Sequence, residues 1–301
     1  MKILLVLNKT LQRGDGIKFD SGYYNLYIPL LEIGHEVYFY DTINPIEKDF
    51  NKVVNTFQPE LIFCCASGNK SVTPFEPLDE IKEITNKGNI KTFNWFCDDT
   101  WRFDSFSQYV CHYFTACSTP EYSFLNKFIV NGYKNIILGQ WHCNENLYLN
   151  NFKKYNVGFC GGMNGTRLTF LKQLNKEIAY FYGCSYEDMI SLYSSCKISL
   201  NLTINDNDTL KKRQMKLRIF EATCSNSLLL TENVENLQMY YEPNKEVICF
   251  ENVEECSQLI DFYLNNENEA LRISQNGRNR FLKEHTSKIR LTKVLDQINK
   301  I

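Results

Sequence analysis

The sequence predicts two open parallel α/β sheets in tandem. Three observations carry that class. Short apolar runs of strand length alternate with helix-length amphipathic segments at α/β spacing. The rhythm breaks once, at 139–156, and then resumes. The chain has 301 residues, enough for two ordinary cores. At 44% hydrophobic and 23% charged, the composition is that of a globular protein.

In the first half, Lys2-Ile-Leu-Leu-Val-Leu7 reads as a buried parallel strand. A polar loop with Gly14 and Gly16 follows over 8–21, then a helix over 23–33 stopped by Gly34, then a strand over 35–41. The loop holds no Gly-x-Gly-x-x-Gly, so a dinucleotide fingerprint is absent. Helices are expected over 46–57, 78–87 and 104–110, and strands over 59–65, 90–96 and 113–117. Ser118-Thr-Pro-Glu121 reads as the start of a helix that runs to Asn131, with Gly132 past its end. A short strand over 136–138 closes the series.

The second half opens with a strand over 155–160, a glycine loop from Gly161 to Gly165, and a helix from Thr166 to about 174. Strands over 178–182 and 197–202 flank a helix over 186–195. The segment 210–232 is the centre of this half. Lys211, Lys212, Arg213, Lys216 and Arg218 lead an amphipathic helix that carries Glu221, and Leu228-Leu-Leu230 reads as the strand behind it. Cations at a helix N-terminus oppose its dipole, so they do not serve helix stability. They make sense around a phosphate; the other reading is a solvated basic face. A short helix over 234–240, a strand over 246–250 and helices over 253–264, 269–284 and 286–301 complete the chain. The expected domains are 1–140 and 155–285, with the last helix, 286–301, packing back on the crossover.

The net charge of −2 provides no global field toward nucleic acid or anionic lipid. Twelve cysteines lack any Cys-x-x-Cys or zinc spacing and read as reduced, mostly buried thiols. The first strand leaves no secretory h-region, and no apolar run approaches the ~18 residues of a membrane span. The expectation is a cytoplasmic protein.

Ligands of open α/β sheets bind beyond the carboxyl ends of the strands. At such ends the second half places Gly161 and Gly162, Arg167, Tyr182 and Gly183, Lys216, Arg218 and Glu221. Glycines admit a phosphate close to backbone, cations balance it, Glu221 can accept two ribose hydroxyls, and Tyr182 with Gly183 can face a base. That is a nucleoside-diphosphate site. In the first half, Cys97-Asp-Asp-Thr-Trp-Arg102 stands at a strand end, with Asp98 or Asp99 as a candidate base. Trp95, Trp101 and Phe103 are candidate stacking residues, and His142 lies in the crossover.

Several stretches resemble one family. They are Gly161-Gly162, Lys216-Leu-Arg-Ile-Phe-Glu221, Leu229-Leu-Thr-Glu232, Glu284-His-Thr286 followed by Arg290, and Asn94-Trp-Phe-Cys-Asp-Asp99. In this order they resemble the GT-B glycosyltransferases related to the spore maturation protein CgeB. The resemblance implies two Rossmann-like domains facing a cleft. A UDP- or other nucleotide-sugar donor would bind the C-terminal domain, and a glycan, protein or small-molecule acceptor the N-terminal one. It implies no cofactor and no metal. Glu221 would match the second glutamate of the Glu-seven-residues-Glu motif; the first is replaced by Arg213, which leaves a retaining mechanism without its usual residue. The competing functions are a nucleotide-sugar epimerase, a non-catalytic nucleotide-sugar or glycan binding module, and a DNA-base glycosyltransferase. The net charge offers the last no support.

Overall fold

The structure is a computed structural model that describes residues 1–13, 16–148, 152–163, 165–204 and 212–301. The chain divides into two compact units. One comprises 1–12, 17–140 and 287–301; the other holds 141–286. Both are parallel α/β sheets, the class the alternating pattern predicts.

The first unit starts with β1 (Lys2–Leu7), and a separate two-stranded ribbon follows from β2 (Thr10–Arg13) and β3 (Gly16–Phe19). Then come α1 (Ile28–Glu32), β4 (Glu36–Asp41), α2 (Phe50–Phe57), β5 (Leu61–Cys64), α3 (Leu78–Lys87) and β6 (Lys91–Trp95). The short helices α4 (Asp99–Arg102) and α5 (Gln108–Val110) precede β7 (Ala116–Thr119), α6 (Tyr122–Val130) and β8 (Ile136–Leu138). The six long-range strands order as β4-β1-β5-β6-β7-β8. Both faces of this sheet are covered, which is why β1 is apolar from Ile3 to Leu7: Ile3 and Leu5 pack with Phe63 and Trp95, while Leu4 and Val6 pack with Ile62 and Ile81 on the opposite face.

Local differences from the sequence expectation have local causes. The helix expected over 23–33 opens as a wide π turn, Tyr23–Tyr27, because Pro29 at the head of α1 has no N–H to bond back to the preceding turn. The helix expected from 46 begins at Phe50, where the Asp49 carboxylate accepts the Lys52 N–H at 3.1 Å and caps it. Ser118 and Thr119 do not start α6. They belong to β7, whose pairing with Leu138 and Trp95 outweighs a local cap, and Glu121 takes the N-cap position.

The second unit contains β9 (Tyr155–Cys160), α7 (Gly165–Leu174), β10 (Ala179–Phe181), α8 (Tyr186–Ser195), β11 (Cys196–Asn201), α9 (Leu217–Cys224), β12 (Leu228–Glu232), β13 (Ile248–Phe250), α10 (Val253–Asn265) and α11 (Glu267–Glu284). Its strand order is β10-β9-β11-β12-β13, all parallel. Ser185 and Asp188 form a reciprocal capping box on α8. Behind α9, Asn226 takes a left-handed φ of 55°, which asparagine tolerates better than most residues and which turns the chain into β12.

The last helix, α12 (Ser287–Lys300), belongs to the first unit. Leu291, Val294, Leu295 and Ile298 are buried against Leu5, Leu30, Phe63 and Trp95. The helix returns to the first unit and covers one face of its sheet, because its apolar stripe completes that core. Lys288 pairs with Glu32 at 3.2 Å, and Lys91 donates to the carbonyls of Ile298 and Asn299 near the helix end. Among the described residues no helix is long and apolar enough to cross a membrane.

Candidate functional site

In the second unit the strand order reverses between β9 and β11, the place where open α/β sheets leave a crevice for ligand. Arg218 sits there. It lies in the first turn of α9, and its side chain reaches over the ends of both strands. Its Nε–H donates to the Cys160 carbonyl at 2.8 Å and to the Tyr193 hydroxyl at 3.0 Å. Its Nη1 donates to Asn201 Oδ1 at 2.9 Å. The guanidinium carbon stands 5.0 Å from the centre of the Phe159 ring. The fork is thus fixed by neutral acceptors, and among the described residues no carboxylate pairs with it. A charge held this way keeps its capacity for an anion.

Nη2 lies toward Gly161. A Cβ there would come within 2.6 Å of it, and the Gly161 φ of +151° is itself unusual for a side-chain-bearing residue. Glycine at this position lets the backbone and the guanidinium approach each other. The Tyr180 hydroxyl donates to the Gly161 carbonyl at 2.8 Å and steadies the loop. Phe159, Tyr180 and Tyr182 form a row of nearly parallel rings, with spacings of 6.1 and 6.5 Å. Tyr182, just past β10, ends the row and is 71% exposed. Gly183 follows with a φ of 62°.

Glu221 lies one helical turn beyond Arg218 but is only 3% exposed. Its Oε1 accepts the Tyr186 hydroxyl at 3.0 Å, and Tyr148 touches Tyr186 in turn. Burial pushes its carboxyl up to about 7, against the opposing pull of Arg218 and Tyr186. The structure therefore does not display Glu221 as an open acceptor for two ribose hydroxyls; it places the carboxyl behind Arg218. Arg167 is in the first turn of α7, where its charge acts on Tyr180. Lys216 is the N-cap residue of α9.

The basic run is not one patch. Lys211 lies outside the described residues. Arg213 pairs with Glu251 at 2.5 Å and approaches Glu232 at 3.8 Å, while Glu232 also accepts the Thr203 hydroxyl at 2.8 Å. Arg213 is thus neutralised by two acids distant in sequence and leaves Arg218 as the cation at the strand ends. The residues that sequence reasoning missed are Tyr193 and Asn201, which aim Arg218, and Tyr186, which bonds Glu221. Asn201 had a signal: an amide ending an otherwise apolar strand is costly unless it bonds something.

In the first unit, Asp98 and Asp99 follow β6. They differ in environment. Asp98 is half-buried, stands at the N-cap of α4, and makes no side-chain cap bond. Asp99 is fully buried beside Ser107 and Thr119, and burial pushes its carboxyl up to about 6. Arg102 pairs with neither. It donates to the Ser67 carbonyl and stacks 4.2 Å from the centre of the Phe106 ring. Trp95 and Phe103 are core residues, packed with Phe63 and with Phe128, so they are not stacking surfaces. His142 is buried in the second unit. All twelve cysteines are free, eight of them buried; Cys65 and Cys97 touch at 3.4 Å.

Comparison with solved structures decides the fold. The Anabaena protein Alr3699/HepE, solved in complex with UDP, superposes with a TM-score of 0.64 at 11% identity over 100% of both chains. Sucrose-phosphate synthase from Thermosynechococcus elongatus gives 0.66 at 12% identity over 99% of each chain. AviGT4, a glycosyltransferase involved in avilamycin A biosynthesis, gives 0.62 at 10% identity over 99% of this chain and 97% of that one. The chain has the GT-B fold. Residues 167–296 match the family model described as glycosyl transferase-like. The match begins at Arg167 and takes in Tyr193, Asn201, Arg218 and Glu221, while Phe159, Cys160 and Gly161 stand just before it. The second half of the chain thus carries a glycosyl transferase-like domain. No curated protein sequence matches it.

Proposed function

We propose that the glycosyltransferase-like domain binds a nucleoside-diphosphate sugar and that the enzyme passes the sugar to an acceptor hydroxyl bound by the first unit. The observation that carries this reading is the Arg218 guanidinium, held by four neutral acceptors at the β9–β11 reversal with Nη2 toward Gly161. Breaking a glycosyl–phosphate bond builds negative charge on the leaving diphosphate. A preorganised cation stabilises that charge at no cost of reorientation. Arg218 supplies it, and Arg167 and Lys216 add to the field. These side chains do the work a metal ion would do, so the reaction is metal-independent in this reading.

The base of the nucleotide stacks on Tyr182, whose exposed ring ends the aromatic row. Solved Anabaena relatives of the fold carry UDP and UDP-glucose, which supports a uracil base. Asp98 is the base that deprotonates the acceptor hydroxyl, since Asp99 presents no surface to an acceptor. The Lys216-to-Glu221 block supports a place near the CgeB-like proteins within this fold.

The test is thermal unfolding of the purified chain against a panel of nucleoside diphosphates and nucleotide sugars, with chelator present, in wild type and Arg218→Gln. A ligand at 100 times its Kd stabilises by about 2.7 kcal/mol. One base should give the shift and the variant should lose it, with slow release of free nucleoside diphosphate from the matching sugar donor. A shift without any turnover would favour a binding module. Turnover of the donor to an isomeric nucleotide sugar would favour an epimerase. No shift with any nucleotide would overturn the donor site.

A further inference from the structure

The opposite edge of the second sheet, where β9 and β11 begin, holds a cavity of about 510 Å³. Ile198, Tyr263 and Leu264 give it apolar walls, Phe152 and Leu271 stand at its exposed rim, and Lys153 is in its lining. That size and composition are those of a small-molecule site. It is distinct from the Arg218 site, which lies beyond the far ends of the same strands.

The charges around it are unbalanced. Lys153 Nζ donates to the carbonyls of Ser194 at 3.1 Å and Ser225 at 3.2 Å, at the C-terminal ends of α8 and α9. Two of its three N–H groups are thereby fixed, and the third is left for another acceptor. No carboxylate pairs with Lys153 among the described residues. Burial lowers its pKa to about 8, and the nearby Arg278 pushes the same way. Arg278 also lacks an ion pair among the described residues. The one acid in the lining, Glu267, is already bound to Lys197 at 2.6 Å. Helix C-terminal carbonyls account for the position of Lys153. They do not neutralise a full charge beside an apolar cavity, and an anion would.

We propose that this cavity is a second binding site, for a small molecule with an apolar body and one anionic head, carboxylate or phosphate, that bonds Lys153. The apolar body packs on Ile198, Tyr263 and Leu271 while the head takes the remaining N–H of the ammonium. Such a ligand comes either as a free monomer or as the headgroup region of a lipid.

Decanoate, below its aggregation concentration, is the probe for the monomer, and decanol is its uncharged counterpart. Binding is followed by titration calorimetry on the full chain. The expected result is one saturable decanoate site, with decanol and the Lys153→Gln variant each at least tenfold weaker, because a hydrogen bond to a charged group is lost. Leu271→Trp fills the cavity without touching the ammonium and should abolish binding. Since Lys153 ties two helix ends, the variants are first checked for unchanged thermal unfolding. If Lys153→Gln alone fails that check, Leu271→Trp decides. Absence of saturable binding, or equal affinity in Leu271→Trp and wild type, overturns the site. Sedimentation with phosphatidylglycerol vesicles that Leu271→Trp loses would point to the lipid source, while vesicle binding unchanged in Leu271→Trp, with no binding of decanoate, would overturn the site.

Discussion

Replacing Glu221 by Gln should stabilise the second unit at pH 8 and leave it nearly unchanged at pH 4.5. The carboxyl is pushed from its ordinary 4.5 up to about 7, chiefly by burial. Below pH 4.5 it is protonated in the folded and unfolded chain alike, and glutamine is a close substitute that still accepts the Tyr186 hydroxyl. Between pH 4.5 and 7 the unfolded chain ionises while the folded one keeps its proton, so stability falls as pH rises. Above pH 7 the whole difference is present: about 2.5 pH units at about 1.36 kcal/mol each is ~3 kcal/mol. Glu221→Gln should recover that amount at pH 8. Asp99 is raised too, to about 6, and tilts stability in the same direction. The quantity to follow is therefore the variant minus wild type at each pH. Urea unfolding read by Trp141, with Trp95 and Trp101 replaced by Phe, reports on the second unit alone. Parallel pH curves for the two proteins, or a variant less stable at pH 8 than at pH 4.5 relative to wild type, would refute the reasoning.

Three further outcomes follow from the geometry. Gly161→Ala should weaken nucleoside-diphosphate binding more than tenfold in calorimetry, since its Cβ would meet Arg218 Nη2 at 2.6 Å, and it should cost about 1–3 kcal/mol of stability from the backbone strain. Asp98→Asn should lower sugar transfer by about 10²–10⁴-fold while leaving the nucleotide thermal shift intact, whereas a variant with full turnover removes Asp98 from the chemistry. Leu295→Ala should destabilise the first unit by about 2–5 kcal/mol in urea unfolding, because α12 completes that core rather than decorating it.

The strands of the two parallel sheets were legible because a doubly covered parallel strand has no polar face to hide, whereas the ribbon of β2 and β3, read as a polar loop over 8–21, was not. Runs such as Lys2 to Leu7 and Leu228 to Leu230 can do little else. The ends of elements were less legible. Ser118 and Thr119 are good helix starters on any local scale, yet they complete β7, because the pairing that decides their state comes from Trp95 and from Leu138. Propensity is local and a ladder partner is not. The same asymmetry governs the last helix. Its stripe of Leu291, Leu295 and Ile298 announces that it must cover something, but only the structure shows that the surface it covers is formed by Leu5, Phe63 and Trp95.

Charge is the property that a sequence displays most openly and explains least. Five cations between 211 and 218 look like one anion site when they are counted along the chain. In space, Arg213 turns to Glu232 and Glu251, acids 19 and 38 positions further on, and its charge is spent there. Arg218, five residues later, meets only carbonyl, hydroxyl and amide oxygens. The difference between a structural arginine and a ligand-binding one is thus the charge of its partners. Neutral acceptors orient a guanidinium without cancelling it, and carboxylates do both. By that criterion the position where the Glu-seven-residues-Glu motif would put its first glutamate, here Arg213, is a closed ion-pair network. The functional weight of the segment rests on its second half, where Arg218 faces Gly161 and Glu221 stands behind it, its ionisation set by the same burial that holds the site together.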